Sequence, residues 1–287
     1  MNWLALSFTD SGIYYREIRW NLVQFMKKIH DRRFGILFLV AAVICIVYEY
    51  NVWNGKEAVN VSQTTQTIKN TSEPLNEGNT HKTAYLTFDD GPSCLSEKYL
   101  DILKKEGVTA TFFIIGQQVE GDAEKTVKRA LKEGNEIGIH TYCHEADCIY
   151  SSAEAYYEDV MKTKEMIEDK FKYKPVLVRF PWGSANNYIA SYRDEIIGRF
   201  KKEGIEYQDW NVSAEDSVGT STVESILYNV RKDYKKYKEP VILMHDSGCN
   251  TKTLAALKEI ITELKNDGYG FANLSKRSRP CHFYELK

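Results

Sequence analysis

Between residues 84 and 274 short apolar runs alternate with longer amphipathic stretches, a pattern that few folds can absorb. The runs read as strands at 84–88, 109–115 (Thr-Ala-Thr-Phe-Phe-Ile-Ile), 136–140, 176–180, 205–210, 240–245 and 270–274. Apolar residues at helical spacing fall between them, at 95–106, 122–133, 152–170, 187–203, 222–236 and 252–266. Gly107, Gly134, Gly204 and Gly268 stand at helix ends, the expected C-terminal stop. Strand and helix in rotation imply parallel βα units. Seven such strands fit a closed or nearly closed barrel better than an open sheet.

In such a barrel the carboxyl ends of the strands face one site. The first strand ends in Thr87-Phe88-Asp89-Asp90-Gly91-Pro92-Ser93, two carboxylates before a sharp turn. Successive strand residues point opposite ways, so Asp89 and Asp90 can serve different roles, one on a metal and one as a base. The third ends at His140-Thr141-Tyr142-Cys143-His144, the fourth at Arg179-Phe180-Pro181-Trp182-Gly183, the fifth at Asp209-Trp210 and the sixth at His245-Asp246. His140 and His144, four apart, suit a divalent metal. The Glu of a His-Glu-x-x-His metalloprotease motif is missing, so a base must come from elsewhere, and Asp89 is placed to supply it.

These residues resemble the NodB-homology polysaccharide deacetylases, carbohydrate esterase family 4, over about 82–275. Five motifs appear in order: Thr87–Ser93, His140–His144, Arg179–Gly183, Asp209-Trp210 and Leu243-Met244-His245-Asp246. The resemblance implies an α/β fold, a distorted (β/α)7 barrel of TIM type. It implies a divalent ion, zinc above cobalt, manganese or nickel, on Asp90, His140 and His144. Asp89 would be the general base, oriented by Arg179. The backbone N–H of Trp182 would meet the oxyanion. His245 would be the general acid, tuned by Asp209, and Trp210 and Leu243 would line the acetyl pocket. Trp182 stands where the family often has Tyr, and Cys143 and Cys249 are unusual near these motifs.

The N-terminal part is of another kind. Phe34 to Tyr48 is an unbroken apolar run, and with Tyr50 and Trp53 as an interfacial belt it reaches the roughly 20 residues that a bilayer needs. A cleaved signal peptide would need small residues after the run, and Tyr48-Glu49-Tyr50-Asn51 offers none. Arg16, Arg19, Lys27, Lys28, Arg32 and Arg33 precede the run, which places the N-terminus in the cytoplasm and exports the rest. The expected organisation is a cytoplasmic tail at 1–33, an anchor at 34–53, a polar linker at 54–80 and a catalytic domain at 81–287.

A net charge of -2 points to no polyanionic partner, so no nucleic acid is expected. The 19 Tyr and 5 Trp suit carbohydrate contact and a packed core equally. Five cysteines outside the span (Cys94, Cys143, Cys148, Cys249 and Cys281) leave at least one unpaired. The function expected is de-N-acetylation of an extracellular glycan such as peptidoglycan, by a bacterial membrane enzyme with its catalytic domain outside. An O-acetyl esterase, a silent glycan-binding module and an iron oxygenase are the alternatives. The full Asp89, Asp90, His140, His144 and His245 set speaks against the last two.

Overall fold

In a computed structural model of the chain, residues 82–248 and 250–286 are described. The tail, anchor and linker expected from the sequence lie outside them. No helix among the described residues is long and apolar enough to cross a membrane.

The elements run β1 (Lys82–Gly91), α1 (Ser96–Glu106), β2 (Thr111–Ile115), α2 (Asp122–Lys132), β3 (Glu136–Thr141), the one-turn α3 (Ala146–Ile149), α4 (Ala153–Phe171) and β4 (Leu177–Val178). Then follow α5 (Arg193–Lys202), β5 (Glu206–Tyr207), β6 (Val212–Ser213), α6 (Val223–Tyr234), β7 (Val241–His245), α7 (Thr251–Asn266) and β8 (Tyr269–Phe271). Every expected strand and helix is present, with β6 and α3 added. The helix expected from residue 187 begins only at Arg193. Asn186 Oδ1 accepts the Ile189 N–H and so offers that backbone an alternative to helix.

All strand pairs are parallel, in the order β5-β4-β3-β2-β1-β7-β6, with β8 joining β1 at Lys82–Ala84. Among the described residues no ladder joins β5 to β6, so the architecture is a parallel half-barrel rather than a fully closed ring. Residues 208–211 step from one edge to the other. The segment after Leu274 lies along this seam: Asp209 N–H donates to Cys281 O, Cys281 N–H to Gln208 Oε1, and Phe283 N–H to Asp209 Oδ2.

Strand parity sorts the side chains. Ala84, Leu86, Phe88, Phe112, Ile114, Ile137, Ile139, Val178, Ile242 and Met244 pack in the main core with the helices. Tyr85, Phe113, Leu177 and Val241 form a second cluster with Leu274, inside the curve of the sheet. Thr87, Asp89, His140, Arg179, Leu243 and His245 fall in these same inward rows, nearer the carboxyl ends. In the ladder between β1 and β7, Thr87 pairs with Leu243 and Asp89 with His245. Apolar residues fill one face and one end, which leaves the polar groups gathered at the other end.

Candidate active site

Asp90 ought to point away from Asp89 if β1 ran straight. Instead the register shifts between Asp89 and Gly91, and Asp90 takes φ 70. An irregularity of this kind re-aims a side chain, and it brings the Asp90 carboxylate to His140 and His144. Asp90 Oδ1 lies 3.4 Å from Nε2 of each histidine. His144 (φ 61) and Trp182 (φ 62) also hold left-handed backbone. Such positions cost about 1–3 kcal/mol each and persist only where their surroundings impose them.

The group fits a divalent cation on two grounds. Asp90 Oδ1 is buried with no hydrogen-bond partner, which is costly for an acceptor with nothing to bind. His140 Nδ1 lies 2.8 Å from Arg179 O, so it carries the proton and donates, leaving the Nε2 lone pair toward Asp90 and His144. One ligand atom from each of the three residues falls within 4.8 Å of the others. Burial opposes the Asp90 charge, yet His140 and His144 hold its carboxyl well below the usual range. Burial, joined by the charge of His140, lowers His144 to about 4, so that imidazole is neutral at neutral pH.

Asp89 is almost fully buried, and its Oδ1 receives Arg179 Nη1 at 2.8 Å. Arg179 is wholly buried, so it is no surface ion pair. Its guanidinium donates to Gln208 O, Thr87 Oγ1, Asp89 and Asp209 O, and it stacks 4.2 Å from the Phe113 ring. Burying a guanidinium costs several kcal/mol unless it is paired and fully bonded. Here it is paired with Asp89, and each of its three nitrogens finds an acceptor, so its orientation is fixed.

His245 is not tuned by Asp209, as the family resemblance had implied. Its Nδ1 meets Asp216 Oδ1 at 2.7 Å, and its backbone N–H donates to Asp216 Oδ2 at 2.8 Å. Asn250 Nδ2 and Thr253 Oγ1 also donate to Asp216 Oδ2. Burial alone would lower the imidazole pKa, but the Asp216 carboxylate, joined by the charges of Asp89 and Asp90, outweighs it and raises His245 to about 9. Asp209 has a different task. Its carboxylate accepts from Ser184 N–H, Ser184 Oγ and Phe283 N–H, tying the Arg179–Gly183 turn to the C-terminal segment. The three donors it accepts come from Ser184 and Phe283, and His245 is not among them.

Asp246, the last residue of the fifth motif, is structural. It accepts from Ser93 Oγ and Ser96 Oγ, and its N–H donates to Asp89 O at 2.7 Å. A Cβ at Gly91 would lie 2.7 Å from Asp246 Oδ2, so only glycine lets the turn close this tightly. Burial raises Asp246 to about 6.

Trp182 places its ring 5.4 Å from that of His144, and its backbone N–H donates to no group among the described residues. Trp210 lies 5.7 Å from the Arg179 guanidinium and packs edge-on against Phe283 at 4.8 Å. Both rings crowd Gly183 (φ 82), where a Cβ would meet them at 3.1–3.2 Å. Leu243 is buried, one inward step below His245 on β7. A groove of about 290 Å³ opens beside Asp90 and His144, walled by Gln117, Gln118, Cys143, Glu145 and Ser247 among others. Cys94, Cys143 and Cys148 carry free thiols, and Cys249 lies outside the described residues.

The polysaccharide deacetylase family profile matches residues 76–196. A peptidoglycan-N-acetylglucosamine deacetylase of Bacillus cereus is 36% identical over 213 residues, 71% of this chain and 92% of that one. A bifunctional xylanase/deacetylase of Pseudobutyrivibrio xylanivorans is 34% identical over 191 residues, 67% of this chain and 29% of that longer one. Among solved structures, the catalytic domain of a peptidoglycan N-acetylglucosamine deacetylase from Eubacterium rectale aligns with TM-score 0.66 and 29% identity, over 76% of this chain and 98% of that one. The chain belongs to the polysaccharide deacetylase family, and it is a hydrolase of that class.

Proposed function

We propose that this protein removes N-acetyl groups from amino-sugar residues of an extracellular glycan, the N-acetylglucosamine of peptidoglycan first, in a metal-dependent reaction that releases acetate. It acts at the outer face of the membrane, held by the apolar segment at 34–53 with its N-terminus in the cytoplasm. One observation carries the chemistry. Asp89 and His245, each with its own buried partner, stand in register on adjacent strands beside the Asp90, His140 and His144 cluster.

Asp90, His140 and His144 would hold the cation, with zinc favoured by two imidazoles and a carboxylate and with cobalt, manganese and nickel able to share the donor set. When bound, such an ion polarises an amide carbonyl and lowers the pKa of water. Asp89, fixed by Arg179, takes a proton from the water that attacks the acetyl carbon. The Trp182 N–H is available to the oxygen that gains charge. His245 presents Nε2 because Nδ1 is held by Asp216, and its raised pKa keeps it protonated at neutral pH. It gives that proton to the leaving nitrogen as the C–N bond breaks, so the products are acetate and a free amine. Trp210 and Leu243 line the space for the acetyl methyl group.

Acetate release from peptidoglycan fragments, chitooligosaccharides and acetylated xylan, with and without zinc, tests the reading. Zinc-dependent release from the amino sugars, lost in Asp89→Asn and His140→Ala, is expected. Release from xylan alone would replace the reading by an O-acetyl esterase.

A further inference from the structure

The two candidate histidine ligands are held in different ways. His140 lies on β3, is buried, and donates its Nδ1 proton to Arg179 O, so its ring and backbone are both fixed. His144 stands beyond the end of β3 on left-handed backbone. Among the described residues, no carbonyl or carboxylate of another residue holds its Nδ1. A metal-binding imidazole ordinarily has such a partner to set its ring. His144 must instead be set through the turn that carries it.

That turn is gripped from two sides. Asp159, on α4, accepts the Tyr142 N–H on Oδ1 at 2.6 Å and the Cys143 N–H on Oδ2 at 3.2 Å. Gln117, in the turn after β2, donates its backbone N–H to Tyr142 O at 3.0 Å and its Nε2 to Cys143 O at 2.9 Å. All four backbone polar groups of the two residues before His144 therefore have protein partners, on a turn where water could have served. The fit around them is close. Lys162, one turn further along α4, sets its Nζ 3.5 Å from the centre of the Tyr142 ring. A Cβ at Gly116 would lie 2.6 Å from that ring and 2.8 Å from Thr163 Oγ1, so glycine there lets Gln117 come up to the turn.

We infer that Asp159 and Gln117 are positioning residues, which fix the backbone of Tyr142 and Cys143 and thereby aim His144 Nε2 at the point it shares with Asp90 Oδ1 and His140 Nε2. This rests on the metal-dependent reading above and adds to it two residues that are not ligands themselves. A carboxylate can accept both N–H groups at once, whereas Asn at 159 would turn an NH2 toward one of them. One N–H is then left facing a donor, the turn relaxes, and His144 loses its aim.

Zinc affinity of the full-length protein, measured by competition with a chelating dye well below the melting temperature of each variant, tests it. Asp159→Asn is expected to weaken zinc binding about tenfold, and Gln117→Ala to weaken it as well. The visible absorption of the cobalt(II)-loaded protein follows ligand geometry, and it is expected to change in Asp159→Asn. Unchanged zinc affinity in Asp159→Asn would overturn the inference even if the metal-free protein melts earlier, since the carboxylate would then only stabilise the fold. Weaker zinc binding with an unaltered cobalt spectrum would overturn it too, because His144 would have kept its aim. Should Asp159→Asn not fold, Gln117→Ala decides alone, and parent-like zinc affinity there overturns the inference. A parent protein that takes up no zinc would overturn the metal site and its positioning together. A parent that binds zinc yet frees acetate from no glycan would sink the deacetylase reading alone, and the affinity comparison would still decide the role of Asp159 and Gln117.

Discussion

Asp216 holds His245 through both ring and backbone, and so sets the protonation state of the proposed acid. Because its carboxylate raises the His245 pKa, Asp216→Asn must lower it, and the protonated form is then lost at a lower pH. The alkaline limb of the kcat/KM profile is expected to move down by about one pH unit or more in that variant. Asp209→Asn should leave the limb in place. The same shift bears on folding. A folded-state pKa of about 9 against an ordinary 6.5 means that His245 contributes its full stabilisation below about 6.5 and loses it as the pH rises through 9. Asp89, Asp90, His140, His144, Arg179 and His245 were legible in the sequence because each is a charged or metal-binding group at the end of an apolar run. Asp216 was not. It follows β6, and a two-residue strand has no periodicity for a sequence reading to detect.

The seam between β5 and β6 shows where an element depends on chain far from it. The long strands β1, β2, β3 and β7 were readable from their apolar runs, but the opening in the ring was not. It reflects two strands of two residues each and a C-terminal segment that bonds irregularly to residues 206–209. Asp209 is the clasp. Replacing it by Asn sets an NH2 group among the Ser184 and Phe283 donors, and about 1–3 kcal/mol of stability should be lost. A fall in the urea midpoint with an unchanged slope would show this, and an unchanged midpoint would refute the clasp.

Across the whole molecule, the three candidate ligands come from β1, from β3 and from the turn after β3, so a bound cation ties together segments that separate on unfolding. Zinc at a hundredfold excess over its Kd should therefore raise the melting temperature of the full-length protein by roughly 5–10 °C. His144→Ala should abolish the rise, as read by thermal unfolding with and without a chelator. The proposed base and acid depend on no such ion for their spacing. Asp89 and His245 are partners in one ladder, and neighbouring strands sit roughly 4.8 Å apart whatever loops they carry. The backbone ladder therefore acts as a ruler. Loops around the rim can be rebuilt to admit another glycan without changing the distance a proton must be carried between its acceptor and its donor.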